Sequence, residues 1–315
     1  MSVSISGAAA QNPGVSQLVR VQDAAGVWTA PASDATERGA WVCRQLEAGN
    51  IVLFPRTPFA FPSEDREFLL GQKQTSSAFH KNVAYRPTED RITGLDKTDT
   101  LEAERLRGIL RNYSRTVVEF LSGLLTPYAR KWKLDYASFR PLEEKGRPAR
   151  LHARNDLPHF DSFPTRPTHG DRILRFFTNI NPTQNRVWVT SQTFEAIGPE
   201  FAKKLGLPKA GGALRGLARA LHLPGANRSP YDEFMHRCHN AMKEDAKFQA
   251  NCPKQRWEFP PDANWMVFTD SVSHAVLEGQ YALEQTFLVS RSAMVVPARA
   301  PIAVLERMAG RPLSN

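Results

Sequence analysis

Apolar residues recur at helical spacing most clearly over 99–125, DTLEAERLRGILRNYSRTVVEFLSGLL. Leu106, Ile109, Leu110, Tyr113, Val117, Phe120, Leu121 and Leu124 fall on one face, the pattern of a helix laid on a core. Asp99 with Glu102 makes a capping-box pattern at its start, and Pro127 marks its end. A shorter helix is predicted over 34–48, capped by Asp34 and stopped by Gly49. NIVLFP (50–55) reads as a buried strand ended by Pro55. Beyond the long helix the pattern changes. β-Branched and aromatic residues gather in 171–180, 186–190, 264–270 and 282–290, which read as strands. A long helical stretch, 193–250, separates the second of these from the third.

Helices, then strands, then an insertion and more strands do not make a βαβ repeat. The order predicts an α+β, mainly β chain: a double-stranded β-helix (jelly roll) with helices packed on one side. The expected organisation is a loose N-terminal segment over 1–30 and a single domain over 31–300 carrying the insertion at 193–250. A C-terminal tail over 301–315 completes it. Internal repeats and low-complexity tracts are absent from the sequence.

Composition narrows this picture. At 315 residues and 41% hydrophobic content, the chain can build one large core or two modest ones, and 18 Phe argue against disorder. No run of about 18 apolar residues occurs, so no membrane-spanning helix is expected. The N-terminus lacks a basic region followed by an apolar one, so no secretory leader is expected. Three cysteines, Cys43, Cys238 and Cys252, suit a reducing compartment better than a disulfide framework.

The formal charge of +9 points to an anionic partner. It is concentrated in the insertion, where 201–231 holds six Lys or Arg and no acid. There Arg215 and Arg219 form an i,i+4 pair beside Leu214, Leu217 and Leu221, a basic amphipathic helix able to lie on an anionic membrane surface. The same pattern suits a helix packed on its own sheet with a solvated basic face.

The candidate chemistry lies in LPHFDSFPTRPTHGDRILRFFTNINP, 157–182. In an extended segment residues i and i+2 share a face, so His159 and Asp161 can offer a nitrogen and an oxygen to one ion. A third ligand is needed, and His274, beside a predicted strand, is the best candidate. Two His and one carboxylate with open positions form the facial triad of non-haem Fe(II) oxygenases. Such a centre suits Fe(II), a bidentate 2-oxo acid and O₂ as co-reactants. A 2-oxoglutarate cosubstrate also needs a cationic anchor. Arg175, sharing a face with Asn179, and Arg291, on the same side as Gln285, both qualify.

His236, Cys238, His239 and Cys252 imitate a zinc site, but adjacent ligands on a helix diverge and the usual paired spacing is absent. No P-loop, G-x-G-x-x-G or G-x-S-x-G occurs.

The segment FPTRPTHGDRILRFFTNINP behind His159-Phe160-Asp161 resembles the Kdo hydroxylases, Fe(II)/2-oxoglutarate-dependent dioxygenases of Gram-negative bacteria. Kdo is 3-deoxy-D-manno-oct-2-ulosonic acid. FPSEDREFLLGQKQTSSAFHKNVAYRPTEDRITGL (61–95) and WMVFTDSVSHAVLEGQYALEQTFLVSRSAM (265–294) resemble the same family, so the likeness covers about 40–295. It implies hydroxylation of Kdo at C3, giving Ko, on Kdo-lipid A of the lipopolysaccharide inner core. It implies His159, Asp161 and His274 as iron ligands, and Lys81, Arg86 and Arg166 as residues suited to the sugar carboxylate or lipid A phosphates. It also implies a cytoplasmic protein, peripheral on the inner face of the inner membrane, with no nucleic-acid partner. Two other readings remain at this point: a 2-oxoglutarate oxygenase acting on protein side chains or nucleic acid, and an iron-free jelly roll that binds glycolipid.

Overall fold

The computed structural model describes residues 14–22, 27–29, 34–72, 79–95, 100–208 and 227–314, with backbone alone over 79–81. Eleven strands form two sheets among these residues. They are β1 (Leu18–Arg20), β2 (Ile51–Phe54), β3 (Phe79–Arg86), β4 (Arg91–Leu95), β5 (Trp132–Arg140), β6 (Arg172–Asn179), β7 (Arg186–Thr193), β8 (Gln255–Phe259), β9 (Asn264–Phe268), β10 (Val272–Glu278) and β11 (Ala282–Val289). The large sheet runs β1-β2-β9-β6-β11-β5-β3-β4 and the small one β10-β7-β8. Only β1–β2 is parallel. Two antiparallel sheets facing each other make the jelly roll, as the order of strands in the sequence predicts.

Side chains alternate across the large sheet. Leu174, Phe176, Leu283 and Phe287 face outward, where α1 (Ala35–Glu47) and α3 (Leu101–Leu124) cover them in the main core. Phe177, Trp188 and Trp265 fill the space between the sheets; the Phe177 and Trp188 rings lie 4.8 Å apart. Inward apolar filling stops short of one end. There the inner face turns polar, with Arg175 on β6, Ser138 and Arg140 on β5, and Glu284 and Thr286 on β11. A jelly roll dry at one end and polar at the other has its site built into the sheet.

The helix ends follow from local chemistry. Asp34 accepts from the Glu37 N–H at 2.8 Å to cap α1, and Gly49 leaves it at φ 82°, a left-handed conformation that favours glycine. The cap of α3 is Thr100, whose hydroxyl accepts from the Ala103 N–H; Asp99, expected there, lies outside the described residues. The remaining helices are α2 (Ser63–Leu70), α4 (Phe194–Leu205), α5 (Pro230–Glu244), α6 (Ala246–Asn251) and α7 (Pro301–Ala309).

Two terminal expectations change. In the N-terminal segment expected to be loose, β1 pairs with β2, and Val15 bridges Gln192. Three residues are too short for a periodicity to register in the sequence. The expected C-terminal tail contains α7, whose Ile302, Ala303 and Leu305 are buried in a second core with α4 and α5. The insertion is therefore partly a packing partner for the chain's own end. Its basic pair Arg215 and Arg219 lies outside the described residues.

Candidate active site

The segment 159–161 runs beside β10 as an extra extended stretch. His159 and His274 exchange both backbone hydrogen bonds, at 3.1 and 3.0 Å, and the Asp161 N–H donates to the Thr269 carbonyl at 2.8 Å. The pairing brings His274 to His159 and Asp161, although more than a hundred positions separate it from them in the sequence. Phe160 points the other way, into the second core, where its ring meets Phe194 at 5.2 Å. The period of two thus directs His159 and Asp161 to the site and pins the segment through the residue between them.

The donor atoms of His159, Asp161 and His274 all lie within 4.8 Å of one another, the only such group among the described residues. Nδ1 of His159 donates to the Leu157 carbonyl (2.7 Å), and Nδ1 of His274 to the Val272 carbonyl (2.9 Å). A carbonyl can only accept, so each Nδ1 carries the proton and each Nε2 keeps a lone pair. Trp188 stacks on His274 at 5.3 Å and 18°, fixing the ring plane. Burial drives the His159 imidazole down to about 3 and also lowers His274, so both are neutral ligands at physiological pH.

Burial alone would raise the Asp161 carboxyl; Arg175 and the two histidines outweigh it and hold the group well below the usual carboxylate range. Asp161 Oδ2 is buried and has no hydrogen-bond partner, though Arg175 stands 3.0 Å away. Two neutral imidazole nitrogens, an ionised carboxylate and a buried oxygen without a donor fit a divalent, facially ligated metal such as Fe(II).

A cavity of about 260 Å³ opens from this triad. Its sheet wall holds an ionic chain: Asp161, then Arg175, then Glu284 at 2.7 Å, then Arg140, whose Nε donates to Glu284 at 2.7 Å. Burial pushes Glu284 up, but Arg140 and Arg175 outweigh it, so the carboxylate stays ionised. The opposite wall comes from α5. His239 meets the His159 ring at 4.9 Å and its Nδ1 donates to the Phe160 carbonyl at 2.7 Å, and Lys243 lies one turn further along.

The expected site residues divide. Arg175 lines the cavity; so does Arg166, which pairs with Asp135 and stacks on Tyr136 and Phe163 at 4.0 and 4.2 Å. Arg86 also lies over the Tyr136 ring, at 5.0 Å, and pairs with Glu89. Lys81 is in β3, but its side chain lies outside the described residues. Three positions fall elsewhere. β11 ends at Val289, and Arg291 sits beyond it in a short 3-10 turn, paired with Glu306 at 2.6 Å and 44% exposed. Gln285 is on the outer face of β11, with Leu283 and Phe287, and donates to the Asp135 and Thr286 carbonyls. Asn179 shares the inner face with Arg175 but bonds the Gln184 and Phe259 carbonyls, which tie the β6–β7 turn. The zinc-like residues also separate: Cys238 is buried in the second core, while His239 faces the cavity.

Sequence reasoning missed Arg140, Glu284 and Lys243. Glu284 had a signal: in ALEQTFLV an acid alternates with Leu283, Gln285 and Phe287, which places it on the inner face. Lys243 had none, because its neighbours in space come from residues 152–161.

Comparison with known proteins agrees with this geometry. A sequence profile of the 3-deoxy-D-manno-oct-2-ulosonic acid (Kdo) hydroxylase family matches residues 29–312. No curated protein matches the chain. Among solved structures, the Kdo hydroxylase KdoO, a non-haem Fe(II) α-ketoglutarate-dependent dioxygenase, in complex with α-ketoglutarate and Fe(III), is 30% identical. It aligns with a TM-score of 0.81 over 94% of this chain and 97% of that one. The cobalt(II) complex of KdoO is 31% identical, with a TM-score of 0.82 over 95% and 97% of the two chains. The chain belongs to the Kdo hydroxylase family.

Proposed function

We propose that this chain is an Fe(II)- and 2-oxoglutarate-dependent hydroxylase of Kdo. More finely, its substrate is Kdo attached to lipid A, and the position oxidised is C3, giving Ko. The observation that carries the reading is the convergence of His159, Asp161 and His274 at a cavity with cationic walls, in a chain of this family. An iron-free glycolipid-binding jelly roll would have no use for three converging donors.

Nε2 of each histidine and a carboxylate oxygen of Asp161 would hold the metal. Fe(II), when bound, supplies the activation of O₂ coupled to decarboxylation of the 2-oxo acid. The chain's own residues do the rest. Arg175 keeps Asp161 ionised and aimed, and Glu284 keeps Arg175 in place from behind. Arg140 and Arg175 make the sheet wall attractive to the distal carboxylate of 2-oxoglutarate. The stack of Phe163, Arg166 and Tyr136 offers a flat, cationic surface to an acidic sugar.

A lipid-anchored substrate requires the enzyme to reach a membrane surface. No helix among the described residues is long and apolar enough to cross one. The net charge of +9 and the pair Arg215 and Arg219 support peripheral contact with anionic headgroups on the cytoplasmic side.

Mass spectrometry of Kdo₂-lipid A after incubation with the protein, Fe(II), 2-oxoglutarate and O₂ tests the reading. One oxygen added to Kdo, and none with His159→Ala, is the expected result. Succinate formed without oxygen on Kdo would retain the oxygenase and discard the substrate.

A further inference from the structure

Resting on that function, the charges around the cavity separate into two kinds. The arginines of its lining are paired: Arg140 with Glu284, Arg175 with Glu284 and Asp161, Arg166 with Asp135. Lys243 is the exception among the cavity-lining cations of the described residues. The residue is 4% exposed, and its ammonium donates to two backbone carbonyls, His152 at 2.9 Å and Arg154 at 2.7 Å. Among the described residues no carboxylate lies within ion-pair distance of it; Asp161 and Asp156 act on it only from further off. An ammonium has three N–H groups, so one donor and a full charge remain. A buried cation with no carboxylate in contact is costly to the fold: burial lowers this amine to about 8, outweighing the support of the more distant Asp161 and Asp156.

Position says which anion answers that charge. Lys243 stands one helical turn from His239, whose ring is 4.9 Å from that of the iron-ligand candidate His159. It also lies beside the mouth: the adjacent Glu244 and its partner His152 are both about half exposed. Arg140 and Arg175, by contrast, stand on the sheet across the cavity from this helix, each already paired with a carboxylate. A small cosubstrate can reach the inner wall. A sugar held on a large lipid enters at the mouth. In Kdo the C1 carboxylate is attached to C2, so it is only two bonds from C3. An anchor for it has to be near both the mouth and the metal, which is where Lys243 is.

We infer that Lys243 is the substrate's carboxylate anchor, a specificity-determining residue that orients the acidic sugar with C3 toward the triad. The arginines of the sheet wall then serve the 2-oxo acid. The helical insertion has a role in selection: it brings to the mouth a cation that the jelly roll itself does not supply.

The test is steady-state hydroxylation of Kdo–lipid A and of its Kdo methyl ester by the full-length chain and by Lys243→Met. Losing a charged hydrogen bond should raise KM for the acid about ten- to a hundredfold. The ester should be an equally poor substrate for both proteins, with KM for 2-oxoglutarate changed less than twofold. Lys243→Arg should recover part of the loss. An acid KM within twofold of the unaltered protein would overturn the assignment. So would equal losses for acid and ester, the mark of a structural lysine, or a rise confined to 2-oxoglutarate, which would give Lys243 to the cosubstrate. Should Lys243→Met not fold, the unaltered protein decides alone, since taking the ester as readily as the acid overturns the inference. Turnover of 2-oxoglutarate with no Kdo oxidation by the unaltered protein would remove the proposed function, and this anchor with it.

Discussion

Arg175 stands between two buried carboxylates, and its removal has a calculable consequence. Asp161 would keep its place near the histidines but lose the cation that outweighs its burial. Breaking a buried pair from one side costs about 3–5 kcal/mol. Arg175→Leu should therefore lower the unfolding free energy by that amount, seen as a lower urea midpoint at unchanged denaturant slope; a loss under 1 kcal/mol (about the value of an exposed pair) would show that the ion pairs are not buried. The imidazoles set the acid limit. His159 is driven to about 3 and His239 to about 4 by burial, against 6.5 ordinarily. Between those values the unfolded chain binds protons that the folded chain refuses. Stability from these groups is thus complete above 6.5 and falls as pH drops toward 3. The iron-free protein should show a lower Tm at pH 5 than at pH 7.5; equal values would mean that the imidazoles are not buried neutral. At this scale the triad was legible because His159 and Asp161 obey the period of two and His274 follows just after a visible strand. The cosubstrate wall was less so. Arg291 looked like a strand residue because nothing in LVSRSA announces that β11 stops at Val289.

Elements transmit order to the site through Phe160. Its side chain belongs to the second core, built by α4, α5 and α7, while its neighbours on both sides are ligand candidates. Phe160→Ala should cost about 3–5 kcal/mol. It should also weaken Fe(II) binding about tenfold without touching a donor atom, because support behind metal ligands is commonly worth that much. Iron titration followed by fluorescence would check it, and unchanged affinity would show that the backbone pairing with β10 suffices. A control is Thr100→Ala, which removes the cap of α3 on the far side of the large sheet. It should cost about 1 kcal/mol and leave iron affinity unaltered. The long helix and the main strands were readable because each carries its own periodicity. α7 was not: nine residues, PIAVLERMA, declare an apolar face only when α4, a hundred positions earlier, is there to receive it.

For the whole molecule the decisive property is charge. The chain's +9 is a property of the sequence, and Kdo-lipid A is anionic at both its sugar carboxylates and its phosphates. On the proposed function the cavity of about 260 Å³ takes the sugar end of the substrate and has room for little more. For the proposed lipid-borne substrate the lipid stays outside, so encounter depends on the outer surface. Each Lys or Arg near an anionic surface contributes about 1 kcal/mol at moderate ionic strength, and the contribution fades within a Debye length. If Arg215 and Arg219 both lie at that surface, replacing them with Ala should lower partition onto anionic vesicles about thirtyfold. Partition onto zwitterionic vesicles should not change. Raising the salt should bring the two proteins together on anionic vesicles, since screening removes from the unaltered chain what the substitutions removed from the variant. Cosedimentation at two salt concentrations reads all of this. Equal partition at low salt would return 201–231 to the role of a solvated face, and leave the rest of the basic surface to find the lipid.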